Sequence, residues 1–157
     1  MIADLEQFSH GLTIQVVSSS EKYHTFRNWN LMQRCEMDVQ PPEPKTHIID
    51  DIVGIDGVID ITERYGDIKF KNRTVKYKFD SLDCDHGCWM DVLRKVNNAI
   101  HGRICKVYPD VDPNYYWKGR VYIETEAKAD GFVGTLVIKI DADPRMYKVG
   151  TETGGVL

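Results

Sequence analysis

Tyr115-Tyr116-Trp117-Lys118-Gly119-Arg120-Val121-Tyr122-Ile123 is the stretch that decides the fold class. Tyr115, Trp117, Val121 and Ile123 fall on one parity, with Gly119 among them, and mostly polar or charged residues fill the other. A period of two places alternate side chains on opposite faces of an extended chain, one face for a core and one for solvent. The same alternation recurs on both sides of this stretch. Leu12, Ile14 and Val16 alternate with Thr13 and Gln15. Val75, Tyr77 and Phe79 alternate with Thr74, Lys76 and Lys78. Phe132, Leu136, Ile138 and Ile140 share a parity, with Lys139 and Asp141 facing away. Turn-forming clusters separate the runs: Pro41-Pro42-Glu43-Pro44, Asp56-Gly57, Pro109-Asp110-Val111-Asp112-Pro113 and Asp130-Gly131. About five to eight short strands with such punctuation predict an antiparallel β-sandwich or barrel.

One segment departs from this period. Trp89, Val92, Leu93, Val96 and Ile100 are spaced as one apolar stripe of an α-helix, and Asp91, Arg94, Lys95, Asn97 and Asn98 fill the rest. The stripe is the expected core face. Asp85 is a candidate N-cap and Gly102 a candidate residue just past the C-terminus. Arg94, Lys95 and His101 lie toward the end where the helix dipole favours cations. The predicted class is therefore mainly β (α+β), with one amphipathic flanking helix. A further helical turn is expected at residues 26–31, and a short one near Leu5 and Phe8.

The 157 residues suit one domain, expected over 1–149, with 150–157 as a loose tail or the start of a linker. Hydrophobic residues make up 42% and charged residues 28%, which excludes wholesale disorder. Twenty Lys and Arg against 24 Asp and Glu give a net charge of −4. That balance argues against a dedicated nucleic-acid binder, which carries a basic footprint. No apolar run approaches the ~20 residues that span a bilayer, so no membrane insertion is expected. Met1-Ile2-Ala3-Asp4-Leu5-Glu6 carries acids where a signal peptide needs bases. The sequence thus reads as a soluble chain made in a reducing cytoplasm. Its four cysteines are too sparse for a disulfide scaffold and are expected to be free thiols.

Few motifs carry chemistry. Cys84, His86 and Cys88 are the metal candidates, because thiolate and imidazole are the usual zinc ligands. Their spacing is unlike that of zinc fingers, and a fourth ligand would have to come from Cys35, His101 or Cys105. The preferred reading is a polar loop entering the helix, with no metal and no cofactor. Asp110 and Asp112 lack the further oxygens, central Gly and closing Glu of a calcium loop. Gly54-Ile55-Asp56-Gly57 is too short for a dinucleotide fingerprint and reads as a hairpin turn. The five histidines are scattered, and no nucleophile elbow, zinc-protease helix or P-loop is present. No catalytic residue is expected, and the chain reads as a non-enzyme. Tyr115 and Trp117 belong with the core parity, which leaves Tyr116 and Tyr122 for the outer face.

Several segments recur in a familiar order. His24-Thr25-Phe26-Arg27-Asn28-Trp29-Asn30-Leu31 precedes Pro41-Pro42-Glu43-Pro44-Lys45-Thr46. Ile52-Val53-Gly54-Ile55-Asp56-Gly57-Val58-Ile59-Asp60-Ile61-Thr62-Glu63 and Phe70-Lys71-Asn72-Arg73 follow. After His101-Gly102 come Asp112-Pro113-Asn114-Tyr115-Tyr116-Trp117-Lys118-Gly119-Arg120, Gly134-Thr135-Leu136-Val137-Ile138 and Asp143-Pro144. This order resembles the N-terminal domain of the distal tail proteins (Dit family) of long, non-contractile-tailed bacteriophages and their prophages, over nearly the whole chain. The resemblance implies a tail-tube-like β-sandwich with one flanking helix. It also implies a homo-oligomer, a hexameric ring that joins the tail tube protein to the tail-tip and receptor-binding proteins and lets phage DNA pass. The implied location is the distal end of the virion tail, after assembly in the host cytoplasm. Many relatives carry a further, galectin-like C-terminal domain. The net acidity suits a conduit for a polyanion. Candidate ring contacts are Pro41, Pro42 and Pro44 and the Asp56-Gly57 hairpin. Arg73, opening a strand, can either bridge to a carboxylate such as Glu63 or Asp67 or stand as a solvated strand end. Two rival readings stand beside this one: a small zinc-dependent enzyme or zinc-stabilised module using Cys84, His86 and Cys88, and a monomeric β-sandwich that binds carbohydrate or peptide.

Overall fold

The computed structural model describes residues 11–81, 86–126 and 134–151. Among the described residues the elements follow in the order β1 (Leu12–Val16), β2 (Lys22–His24), α1 (Thr25–Trp29), β3 (Leu31–Val39), β4 (Ile48–Ile49), β5 (Ile59–Asp60), β6 (Arg73–Ser81), α2 (His86–Ile100), β7 (Ile104–Pro109), β8 (Tyr115–Glu126), β9 (Thr135–Ala142) and β10 (Tyr147–Lys148). All strand pairs are antiparallel. The principal sheet is open and eight-stranded, in the order β2-β1-β7-β8-β9-β6-β3, with β10 also on β8. β4 and β5 form a separate two-stranded ribbon. The mainly-β antiparallel class with a flanking helix is thus what the chain adopts.

Alternation builds the core. Leu12, Ile14 and Val16 on β1 and Val75, Tyr77 and Phe79 on β6 are buried, while the residues between them are not. Register then aligns the buried rows across strands. Ile140 lies opposite Val75 on one side and Val121 on the other, and Ile138 lies opposite Tyr77 and Ile123. Fully burying each such aliphatic side chain contributes about 1.5–3 kcal/mol. Gly119 is paired with Cys105 on β7 and with Ala142 on β9. A Cβ at this position would run into the carbonyl of Asp141, so the close approach of β8 and β9 requires glycine.

α2 closes the core. Trp89, Val96 and Ile100 are buried, and Val92 and Leu93 are half-buried against the same cluster. Gly102 ends the helix at φ +74 and donates its N–H to the carbonyl of Val121 at 2.7 Å, which ties the helix end to β8. Asp85, the expected N-cap, lies outside the described residues, as do Leu5 and Phe8. α1 covers part of the helical turn expected at 26–31. Its cap is an imidazole: His24 Nδ1 accepts the N–H groups of Phe26 and Arg27 at 3.2 and 3.3 Å. Asn30, in the left-handed region at φ 51, terminates it.

The strand number exceeds the expectation because β2, β4, β5 and β10 have only two or three residues each, too few to display a period. Asp56-Gly57 also departs from the tight turn expected of it. It lies among residues 50–58, the long connection between β4 and β5, with Gly57 at φ +85. The Pro41–Pro44 stretch is strapped to the chain rather than free. Glu43 and Lys45 exchange backbone hydrogen bonds with Lys71 and Lys69 at 2.8 and 2.7 Å, around a bridge between Pro44 and Phe70.

Candidate functional site

The described residues contain no group of three His, Cys, Asp or Glu placed to hold a metal ion. Cys84 lies outside them, His86 opens α2 and Cys88 is half-buried in its first turn. Cys35 is exposed on β3 and Cys105 is buried on β7. The Cys105 thiol points to the carbonyl of Arg103 at 3.6 Å, and burial pushes its pKa up to about 11. A thiol held in that state is a poor nucleophile and a poor metal ligand. His24 is committed to structure: with Nδ1 accepting two backbone N–H groups, Nε2 carries the proton and donates to Asp110 Oδ2 at 2.9 Å. His101 Nδ1 likewise accepts the N–H of Ile123 at 3.0 Å.

Arg73 takes neither of the roles expected from its sequence position. It is 9% exposed, and its guanidinium lies 4.3 Å from the centre of the Trp117 ring. Among the described residues it pairs with no carboxylate, Glu63 and Asp67 included. Burial draws it below the usual Arg range, against a smaller opposing effect of the Tyr77 oxygen. Trp117 Nε1 donates to Tyr77 Oη at 3.0 Å, so cation, indole and phenol form one buried cluster. Tyr116 has the position that its parity predicts. It is on the outer face, yet only 4% exposed, because Tyr108 and Tyr147 cover it with centroids at 5.1 and 5.6 Å. Such a ring is not free to stack on a nucleic-acid base.

The described residues also carry a group of exposed apolar side chains. Ile48, Ile49, Val53, Ile55, Val58 and Ile59 in and between β4 and β5 are all exposed, Val53 almost completely at 99%. No buried core residue lies between positions 48 and 60. Single exposed apolar side chains are ordinary, but a contiguous group marks a contact surface. Asp56 and Gly57 lie on this ribbon and are exposed. Of the three prolines, Pro42 is buried, while Pro41 and Pro44 are exposed. No helix is long and apolar enough to cross a membrane among the described residues.

No protein-family model and no curated protein matches the sequence. Among solved structures the fold is similar to the crystal structure of the SPP1 Dit (gp 19.1) protein, described as a paradigm of the hub adsorption apparatus in phages infecting Gram-positive hosts. The TM-score is 0.61 at 13% identity, and the match covers 87% of this chain and 52% of that one. The chain therefore spans about half the length of that protein, and the likeness is one of fold.

Proposed function

We propose that this chain is a non-enzymatic structural component of a phage or prophage tail tip. In this reading it forms a hexameric ring, a hub that joins the tail tube to the adsorption apparatus and leaves a lumen for DNA. The observation that carries the reading is the fold shared with a phage hub protein over 87% of the chain. The exposed apolar ribbon supports it, because a monomer gains nothing from presenting Val53, Ile55 and Val58 to water. Ring assembly needs two different surfaces that meet head to tail, and the ribbon supplies one of them. The protein would reside at the distal end of the virion tail, after assembly in the host cytoplasm.

Negative-stain microscopy of the purified protein, together with light scattering on a sizing column, tests the reading. Six chains of 18.1 kDa give a particle of about 109 kDa, and the images should show rings with a central hole. A species that stays monomeric at tens of micromolar, or a closed dimer without ring contacts, overturns it.

A further inference from the structure

The outer face of the principal sheet has two electrostatic halves. Over β9, β6 and β3 most cations are matched: Lys78 meets Glu36 and Glu126, Lys139 meets Glu124 and Arg34 meets Asp80, and Lys76 alone forms no ion pair among the described residues. Over β2, β1, β7 and β8 they are not. Register places Lys22, Gln15, Lys106 and Lys118 in one row across these four strands. Gln15 alternates with buried Ile14 and Val16, so the row faces outward. In the adjacent row exposed Ile104 lies opposite Arg120, and the Val17 N–H bonds to the Ile104 carbonyl at 3.1 Å.

Among the described residues, none of Lys22, Lys106, Lys118 and Arg120 forms an ion pair. Asp143, at the border of the row, is engaged by Tyr147 Oη at 2.7 Å. Like charges set directly opposite, as Lys106 and Lys118 are, destabilise a sheet unless something neutralises them. Arg120 donates to the Gly102 carbonyl at 2.6 Å and Lys106 lies 5.4 Å from the Tyr116 ring centre, but neither contact supplies an anion. The strip is thus basic, flanked by exposed Val17 and Ile104, and without a carboxylate partner among the described residues.

Its complement is on the same chain. Residues 48–60, Ile48-Ile49-Asp50-Asp51-Ile52-Val53-Gly54-Ile55-Asp56-Gly57-Val58-Ile59-Asp60, carry four aspartates and no Lys, Arg or His. Asp50, Asp51 and Asp56 are exposed. We infer that the acidic, apolar ribbon of one copy docks on the basic strip of β1, β7 and β8 of the next copy. Aspartates meet Lys106 and Lys118, and ribbon valines and isoleucines cover Val17 and Ile104. The contact joins two different surfaces, so it propagates around a ring and does not stop at a pair. The inference rests on the ring reading above and names the contact that this reading requires.

The test uses two full-length variants. Lys106→Glu with Lys118→Glu disables the strip, and Asp50→Lys with Asp51→Lys disables the ribbon. Each alone should be monomeric in light scattering at a concentration where the parent assembles. Mixed, the native ribbon of one variant faces the native strip of the other, and the two charge-reversed surfaces are also opposite in sign, so the mixture should assemble where neither variant does alone. Combining all four changes in one chain restores opposite charges and should recover assembly. For the parent, raising salt from about 50 to about 500 mM should weaken association about tenfold or more.

The ribbon variant lies outside the core, so its monomers report on the contact even if the strip variant misfolds. Assembly that survives either double change, a parent that never associates, or a mixture that stays monomeric overturns the inference. If the parent binds a labelled single-stranded oligonucleotide and the strip variant does not, while both assemble alike, the strip belongs to nucleic acid and the inference is also overturned. Closed rings that ignore the charge changes leave the hub reading intact and remove the contact. Charge-dependent association into filaments keeps the contact and removes the hub reading.

Discussion

Tyr77 shows how one atom stabilises the core. Its hydroxyl is the acceptor for Trp117 Nε1 in a place where water does not reach. Tyr77→Phe keeps the ring and strands a buried indole N–H. The expected loss is about 1–3 kcal/mol, read as a lower urea midpoint at unchanged slope. Two other groups contribute to the alkaline limit. Burial pushes the Cys105 thiol up to about 11, and the hydrogen bond to Asp143, ahead of burial, pushes the Tyr147 phenol up to about 12. Both protons are held more tightly in the folded chain than in the unfolded one. Stability from this source is complete below the unfolded pKa values and drains away as pH rises through the folded ones. Urea midpoints should therefore fall from about pH 9 to pH 12, and Cys105→Ala should flatten the lower part of that fall.

Among the elements, α2 is the part of the architecture most plainly written in the sequence. A helical period in a background of twos needs no tertiary information to be seen. Depth along its stripe was not legible, because contacts with residues distant in sequence decide which members are sealed. Ile100 and Val96 are fully buried, while Leu93 and Val92 stay partly open. Ile100→Ala should cost about 2–5 kcal/mol in urea melts, Leu93→Ala less, and exposed Lys95→Ala under about 0.5. The ribbon is the opposite case. Its two-residue strands carry no period, and Asp56-Gly57 signals a turn without revealing a long connection around it.

For the whole molecule, the proposed function implies separate apolar sets for folding and for assembly. The core residues lie in the principal sheet and helices, and the ribbon contributes none. Replacing Val53, Ile55 and Val58 together by Ser should leave the monomer's stability within about 0.5 kcal/mol of the parent while abolishing self-association. A large drop in the urea midpoint would mean that the ribbon packs on its own chain.

The sequence by itself determined the class: alternation with turn punctuation specifies an antiparallel sheet, and one heptad-like stripe specifies the helix that covers it. These signals are local, set by the geometry of a strand or helix. Tertiary structure alone decided the rest. It put Arg73 on Trp117 instead of a carboxylate, because folding brings the start of β6 against the β8 indole. It sealed Tyr116 between Tyr108 and Tyr147, and register brought Lys22, Lys106 and Lys118 into one row. Each of these depends on strands that are distant in sequence, and a one-residue shift in register would send the same side chains to the opposite face.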